Sequence, residues 1–108
     1  MDFEKIFKDL KNNLLNALGE SYNAYKGDAK KDIEAFLKES KEKLKRWTIL
    51  LADGKLNQEE FTWLVKSQKD LLVLKALYQT GVSKIALGHL KNKILKVIVN
   101  TIKTAVLV

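Results

Sequence analysis

The sequence predicts an all-α protein, in which one long amphipathic helix is followed by two shorter helices in a helical hairpin or three-helix bundle. Proline is absent from the 108 residues, and the five glycines stand singly. Apolar residues recur at the spacing of a helix rather than the alternation of a strand. A chain of this length forms one domain, so we take 1–108 as a single helical domain.

The first predicted helix spans 2–52 and has an eleven-residue apolar period. Its three columns are Phe3, Leu14, Tyr25, Phe36 and Trp47; Phe7, Leu18, Ala29, Ser40 and Leu51; and Tyr22, Ile33 and Leu44. Eleven residues in three turns is about 3.67 per turn, close to a straight helix. The stripe keeps its phase past Gly27-Asp28, where a helix end followed by a new cap is the alternative. One helix of roughly 75 Å is the simplest explanation.

A turn at 53–57 precedes the second predicted helix, which spans 58–79. Gly54 suits the position after a helix end, and Asn57 with Glu60 forms the pattern of a capping box. The segment resembles the second half of an EF-hand loop. That alignment puts Ile49 and Leu51 at the first and third ligand positions, where neither side chain binds calcium. The pattern therefore favours a capped turn over a metal loop.

The third predicted helix spans 83–107, with Gly81 ending the helix before it and Ser83 as its cap. Its polar residues form one narrow stripe at spacings of four and three: His89, Lys93, Lys96, Asn100 and Lys103. The remaining apolar arc is about 200° wide, against the ≳ 100° stripe of an ordinary surface helix. Its many β-branched residues also suit a strand, but the spacing of the stripe favours a helix.

Charge is distributed unevenly along the chain. Residues 1–54 carry 11 basic and 10 acidic side chains, whereas residues 55–108 carry 9 basic and 3 acidic ones. No acidic residue follows Asp70. An apolar and purely cationic C-terminal third suits an anionic membrane, a nucleic acid or an acidic protein surface. The same lysines also serve simply to keep a hydrophobic helix in solution.

The sequence contains no pattern of a catalytic, cofactor or metal site, so we expect no enzymatic activity, cofactor or small-molecule substrate. Cysteine is absent, and His89 is the only histidine, which leaves no zinc ligand set. Hydroxyl groups such as those of Ser21, Ser40 and Ser67 stand outside any nucleophile elbow. No glycine-rich phosphate loop is present.

The wide apolar arc of the third helix makes self-association the first functional expectation, because a single small chain rarely exposes so much apolar surface. The predicted protein is thus an interaction module that buries this helix in a homo-oligomer or larger assembly. The residues expected at that interface are Leu87, Leu90, Ile94, Val97, Ile98, Ile102 and Ala105.

Two other functions are compatible with the charge pattern. A cationic amphipathic helix binds anionic membranes, with Lys93, Lys96 and Lys103 as the residues facing the anionic surface. Trp47 and Trp63 are then candidate interface anchors, but the favoured explanation is that they close one end of the bundle unless both are exposed. Nucleic-acid binding ranks last, since the chain has one arginine and no recognised reading motif. The chain has no signal-peptide pattern or membrane-spanning run, so a cytoplasmic location is expected.

Overall fold

The computed structural model describes residues 2–21 and 25–107; most of these residues are helical, and there is no β-strand among them. The prediction of an all-α protein is therefore confirmed. The five α-helices of these ranges are α1 (Phe3–Ser21), α2 (Lys26–Ala52), α3 (Gln58–Lys66), α4 (Lys75–Gln79) and α5 (Lys84–Val106). A 3-10 helix, Ser67–Leu71, follows α3 directly.

Helices α1 and α2 lie antiparallel, so the prediction of one continuous helix over 2–52 is wrong. Lys41 Nζ lies 3.2 Å from Glu4 Oε2, and Lys11 Nζ lies 3.1 Å from Glu34 Oε1. In a continuous helix the first pair, 37 residues apart, would be separated by about 55 Å. The alternative of two helices is correct, but the break lies before Gly27-Asp28, because both residues lie inside α2. Residues 22–24, including Tyr22, lie outside the described residues.

The hairpin forms because the eleven-residue stripe needs a partner, and folding back provides one. The columns do mark core positions: Leu14, Leu18 and Ile33 are buried, as are most of their equivalents. The polar exception in the pattern, Ser40, is buried as well, and its hydroxyl donates to the Phe36 carbonyl at 2.8 Å. A buried hydroxyl that uses the carbonyl one turn earlier leaves no unpaired donor.

The turn between α2 and α3 is the capped turn that the sequence predicts. Gly54 has a φ of +75°, a left-handed conformation that glycine adopts without a steric penalty. Asn57 Oδ1 accepts from Glu60 N at 2.8 Å, and Glu60 Oε1 accepts from Asn57 N at 3.0 Å. Both halves of the predicted capping box are thus present.

The predicted helix over 58–79 is instead divided into α3, the 3-10 helix and α4, which corrects that prediction. In an unbroken helix, Leu74 and Leu77 would point away from the face that carries Phe61, because they are offset by well over 100°. Residues 72–74 are not helical. The break turns Leu72, Leu74 and Leu77 into the core together, each at most 3% exposed.

The start of α4 is held by a side chain from another helix. Leu74, the residue at its N-cap, has no side-chain acceptor. Asp32 of α2 takes that role: Oδ1 accepts from Ala76 N and Oδ2 from Leu77 N, both at 2.9 Å. Asp32 is only 5% exposed, and these two bonds satisfy the carboxylate that α2 buries.

Helix α5 begins and continues as predicted. Ser83 Oγ accepts from Ala86 N at 3.1 Å, and Gly81 before it has a φ of +95°. The helix packs against α1, α2, α3 and α4, so it is the central element of the fold. Its polar stripe is solvent-facing, with only Lys103 partly buried.

Candidate functional site

The apolar face of α5 lies against the chain's own helices. Five of the seven residues expected at a self-association interface are at most 7% exposed in the single chain: Leu87, Leu90, Ile94, Ile98 and Ile102. Val97 is half-buried against the same core, and Ala105 is exposed. The surplus apolar area that suggested an assembly is therefore mostly covered within one chain.

The three candidate lysines on α5 divide into two groups. Lys93 Nζ donates to the Ala17 carbonyl of α1 at 3.2 Å, which draws it toward the α1 side of the molecule. Lys96 and Lys103 line a groove on the other side of α5, against α3. The structure thus brings two of the three predicted residues together and separates the third.

The lysine groove, as we call this cavity between α3 and α5, has a volume of about 710 Å³. Lys66 of α3 and Lys69 of the 3-10 helix join Lys96 and Lys103 along it. The apolar part of its lining is Leu95 and Val99, both buried. Thr62, Asn92 and Asn100 supply neutral hydrogen-bonding groups to the remaining lining.

A second cavity, the Gly88 hollow, lies between α4 and the first half of α5 and has a volume of about 440 Å³. Its apolar lining comes from Val73, Leu74, Tyr78, Leu87 and Gly88. Four lysines complete the lining: Lys69, Lys75, Lys84 and Lys91. Because the Asp32 carboxylate holds the start of α4, it also positions the segment that carries Val73, Lys75 and Tyr78.

The two cavities adjoin at Lys69, which lines both of them; we call the surface around them the cationic side. Among the described residues, no acidic side chain lines either cavity. Glu59 and Asp70 are near the lysines in sequence and lie outside both linings. The two ion pairs of the described residues both join α1 to α2, so none of the lysines in these two linings forms an ion pair with a described carboxylate. Asp32 and Glu39 share a neighbouring cavity with Lys75.

Large apolar side chains protrude beside these lysines. Val73 is 62% and Tyr78 is 54% exposed, and both line the Gly88 hollow. Leu71 is 50% exposed and shares a neighbouring cavity with Val73, while Ile85, next to Lys84, is 77% exposed. Exposed aliphatic and aromatic groups set among lysines are typical of a surface that meets a partner both apolar and anionic.

The candidate anchors outside this side differ from one another. Trp63 is 71% exposed, whereas Trp47 is half-buried and packs against the core. Trp47 therefore closes the bundle, and Trp63 alone is free to meet a partner. His89 is exposed on α5, and no group of three potential metal ligands occurs among the described residues. Within the same residues, none of the helices has the length and hydropathy needed to span a bilayer.

Sequence reasoning missed the residues that α3, the 3-10 helix and α4 contribute to the cationic side. In the single helix predicted for this segment, Lys66, Lys69 and Val73 already share one face, but Tyr78 is offset from Lys66 by about 120°. The pattern did not show that this face adjoins the lysines of α5. The one available signal was the absence of acidic residues after Asp70, which marks the region without showing which lysines converge. The break at 72–74 decides where α4, with Lys75 and Tyr78, lies relative to them.

The same chain was compared with known proteins. No protein-family model, curated protein or solved structure matches it.

Proposed function

We propose that this protein is a non-enzymatic module that binds the surface of an anionic membrane through its cationic side. The observation that carries the proposal is the placement of protruding apolar residues among lysines that line two adjoining cavities, neither of which has an acidic residue of the described chain in its lining. Val73, Tyr78 and Ile85 supply the apolar contact, and the lysines of the Gly88 hollow and the lysine groove supply the electrostatic attraction.

The electrostatic contribution comes from seven lysines on one side: Lys66, Lys69, Lys75, Lys84, Lys91, Lys96 and Lys103. A lysine near an anionic leaflet contributes about 1 kcal/mol, and each such contribution corresponds to about a five-fold change in affinity. Their attraction to the surface falls off within about 8 Å at physiological ionic strength. Binding by this side therefore depends steeply on both lipid charge and salt.

The apolar contribution favours a membrane over a nucleic acid. Phosphate backbones take up lysine charge and offer little to an exposed aliphatic group such as Ile85 or Val73. At a lipid interface these groups enter the boundary between headgroups and acyl chains. Tyr78 suits the same boundary because its ring is apolar and its hydroxyl is polar.

Self-association, the first expectation from the sequence, stays a competing proposal. The face of α5 on which it was based packs inside the chain, so an assembly would have to use other residues. Protruding side chains such as Trp63 and Ile85 are available for that purpose. A membrane accounts in addition for the lysines around them, which is why we place it first.

The test is co-sedimentation with vesicles of phosphatidylcholine alone and of phosphatidylcholine mixed with phosphatidylglycerol. We expect binding only to the mixed vesicles, weakened by added salt. Changing Lys69, Lys75, Lys84 and Lys91 together to Gln should reduce the affinity by about five-fold for each lysine.

The matched control changes Lys8, Lys30, Lys38 and Lys45 to Gln. These lysines of α1 and α2 are exposed and line neither cavity. Their replacement removes the same number of positive charges, four. Equal losses in the two variants would show that net charge, rather than this side of the molecule, drives binding. If the natural sequence does not bind the mixed vesicles, the proposal is refuted. Tight binding to duplex DNA without binding to the vesicles would favour the nucleic-acid alternative.

A further inference from the structure

Gly88 has no role inside the chain that requires glycine. It lies well within α5, and the positive φ angles of the described chain belong to Gly54 and Gly81, not to Gly88. A Cβ built on Gly88 would meet no atom within 4 Å. Alanine is the better helix former at such a position. Neither backbone conformation nor internal packing therefore explains why a side chain is absent here.

The space above the α-carbon of Gly88 belongs to the Gly88 hollow. Val73, Tyr78 and Leu87 line it together with Gly88, so the missing side chain enlarges an apolar cavity instead of filling it. Its volume of about 440 Å³ falls within the range of roughly 300–1,000 Å³ that small-ligand sites have. Glycine at this position thus keeps open a space of ligand size.

The chemistry of the lining restricts the occupant. An apolar interior needs an apolar group, and the lysine ammonium groups of the same lining need an anionic one. Because no carboxylate of the described residues lines the hollow, the ligand has to bring the negative charge. A single molecule meets both requirements when an apolar chain ends in a carboxylate or phosphate.

We infer that the Gly88 hollow binds one acyl chain of an anionic amphiphile, which lies over the bare α-carbon of Gly88 while its head group contacts the surrounding lysines. The inference rests on the proposed membrane binding and deepens it, since it names a site for an individual lipid chain. Lys84 and Lys91 lie two turns apart on α5, on either side of Gly88. Lys75 on α4 contributes to the same lining.

The experiment titrates the protein with monomeric laurate by calorimetry and follows the backbone amides of α4 and α5 by NMR. We expect one laurate per chain, with the largest shifts near Gly88. Dodecyl maltoside, which has the chain without the charge, and butyrate, which has the charge without the chain, should each bind at least about ten-fold more weakly.

Gly88→Leu places a side chain over the α-carbon on which the acyl chain would lie, and we expect it to lower laurate affinity at least about ten-fold. Gly27→Leu is the matched control, because Gly27 is also helical and a Cβ there also meets nothing within 4 Å. It should bind laurate as the natural sequence does. Val73→Glu is a second variant, on a residue that is already 62% exposed. It adds a negative charge to the lining and so repels an anionic ligand. Its effect does not depend on whether α5 tolerates a leucine at position 88.

The results separate this inference from the proposed function. Unchanged laurate binding by both Gly88→Leu and Val73→Glu, or no laurate binding by the natural sequence, overturns the inference. Vesicle binding that survives Gly88→Leu while laurate binding is lost supports a single-chain site within a lysine-driven membrane surface. One laurate bound at Gly88 without binding to anionic vesicles supports a site for free amphiphiles and refutes the membrane proposal alone.

Discussion

At the scale of single residues, Asp32 and Gly88 determine the geometry of the cationic side. Asp32 is buried on α2 and accepts from two backbone N–H groups of α4. Gly88 has no side chain, so the space between α4 and α5 in the hollow stays open. The first residue fixes a short helix that is too small to form by itself, and the second keeps its apolar wall accessible.

Replacing Asp32 by Ala should destabilise the protein by roughly 2–3 kcal/mol, because the two N–H groups of α4 lose a charged acceptor. Urea denaturation measures this loss, and hydrogen exchange should show the Ala76 and Leu77 amides among those that lose protection. Asp9→Ala, on an exposed residue of α1, is the control and should change stability by less than about 0.5 kcal/mol. A loss at Asp32 no larger than at Asp9 would contradict the capping role.

Two glycines with equally open surroundings should respond oppositely to alanine. Neither Gly54 nor Gly88 would bring a Cβ within 4 Å of another atom, but Gly54 has a φ of +75°. Gly54→Ala should cost about 1 kcal/mol through left-handed strain. Gly88→Ala should stabilise by about 0.5–1 kcal/mol through helix propensity. Chemical denaturation of both variants tests this, and a destabilised Gly88→Ala would reveal an internal role for the glycine.

At the scale of elements, α5 is the core of the molecule and at the same time one wall of both cavities. One of its faces packs against α1 and α2, and residues of its lysine-bearing side reach α3 and α4. A helix covered on several sides explains the wide apolar arc in the sequence. The break between α3 and α4 has the complementary effect, because it turns three leucines inward and leaves Val73 outside.

Two substitutions on α5 separate its core face from its surface. Ile98→Asp should cost at least about 3 kcal/mol or prevent folding, because Ile98 is 0% exposed and an unpaired buried charge is costly. Ala105→Asp, on an exposed residue near the end of the same helix, should cost no more than about 1 kcal/mol, from the lower helix propensity of Asp and its negative charge near the helix C-terminus. Circular dichroism with thermal melting compares them. Similar melting temperatures would mean that Ile98 is not in the core of the folded monomer.

At the scale of the whole molecule, packing is sufficient for one chain to bury its main apolar stripes. The α1–α2 hairpin covers one side of α5, and the α3–α4 segment covers another. The result measures 42 × 23 × 21 Å, well below the length of the rod that one continuous helix would form. What remains exposed is a modest set of apolar side chains concentrated beside lysines.

We expect light scattering to give a mass near 12.3 kDa at tens of micromolar in lipid-free buffer, because the α5 face is covered within the chain. Adding anionic vesicles should shift the protein to the vesicle fraction. A mass of two chains or more without lipid would instead support self-association, and crosslinking at Trp63 or Ile85 would then locate the interface.

The sequence by itself determined the helical class, the capped turn at 53–57, the start of α5 at Ser83 and most core positions. These features depend on local hydrogen bonds and on helical periodicity, which nearby residues specify. It also indicated a cationic C-terminal region, from the absence of acidic residues after Asp70.

Only the tertiary structure decided where the helices end and which residues share a surface. A stripe with unbroken phase is compatible with both a straight rod and a hairpin, and the hairpin is chosen because each arm covers the apolar face of the other. The hydrogen bonds from α4 to Asp32 join residues that are separated by 44 and 45 positions in the sequence. No local sequence pattern predicts them. The Gly88 hollow depends in turn on α4 being held there, which is why its lysines and apolar walls are scattered in sequence and adjacent in the fold.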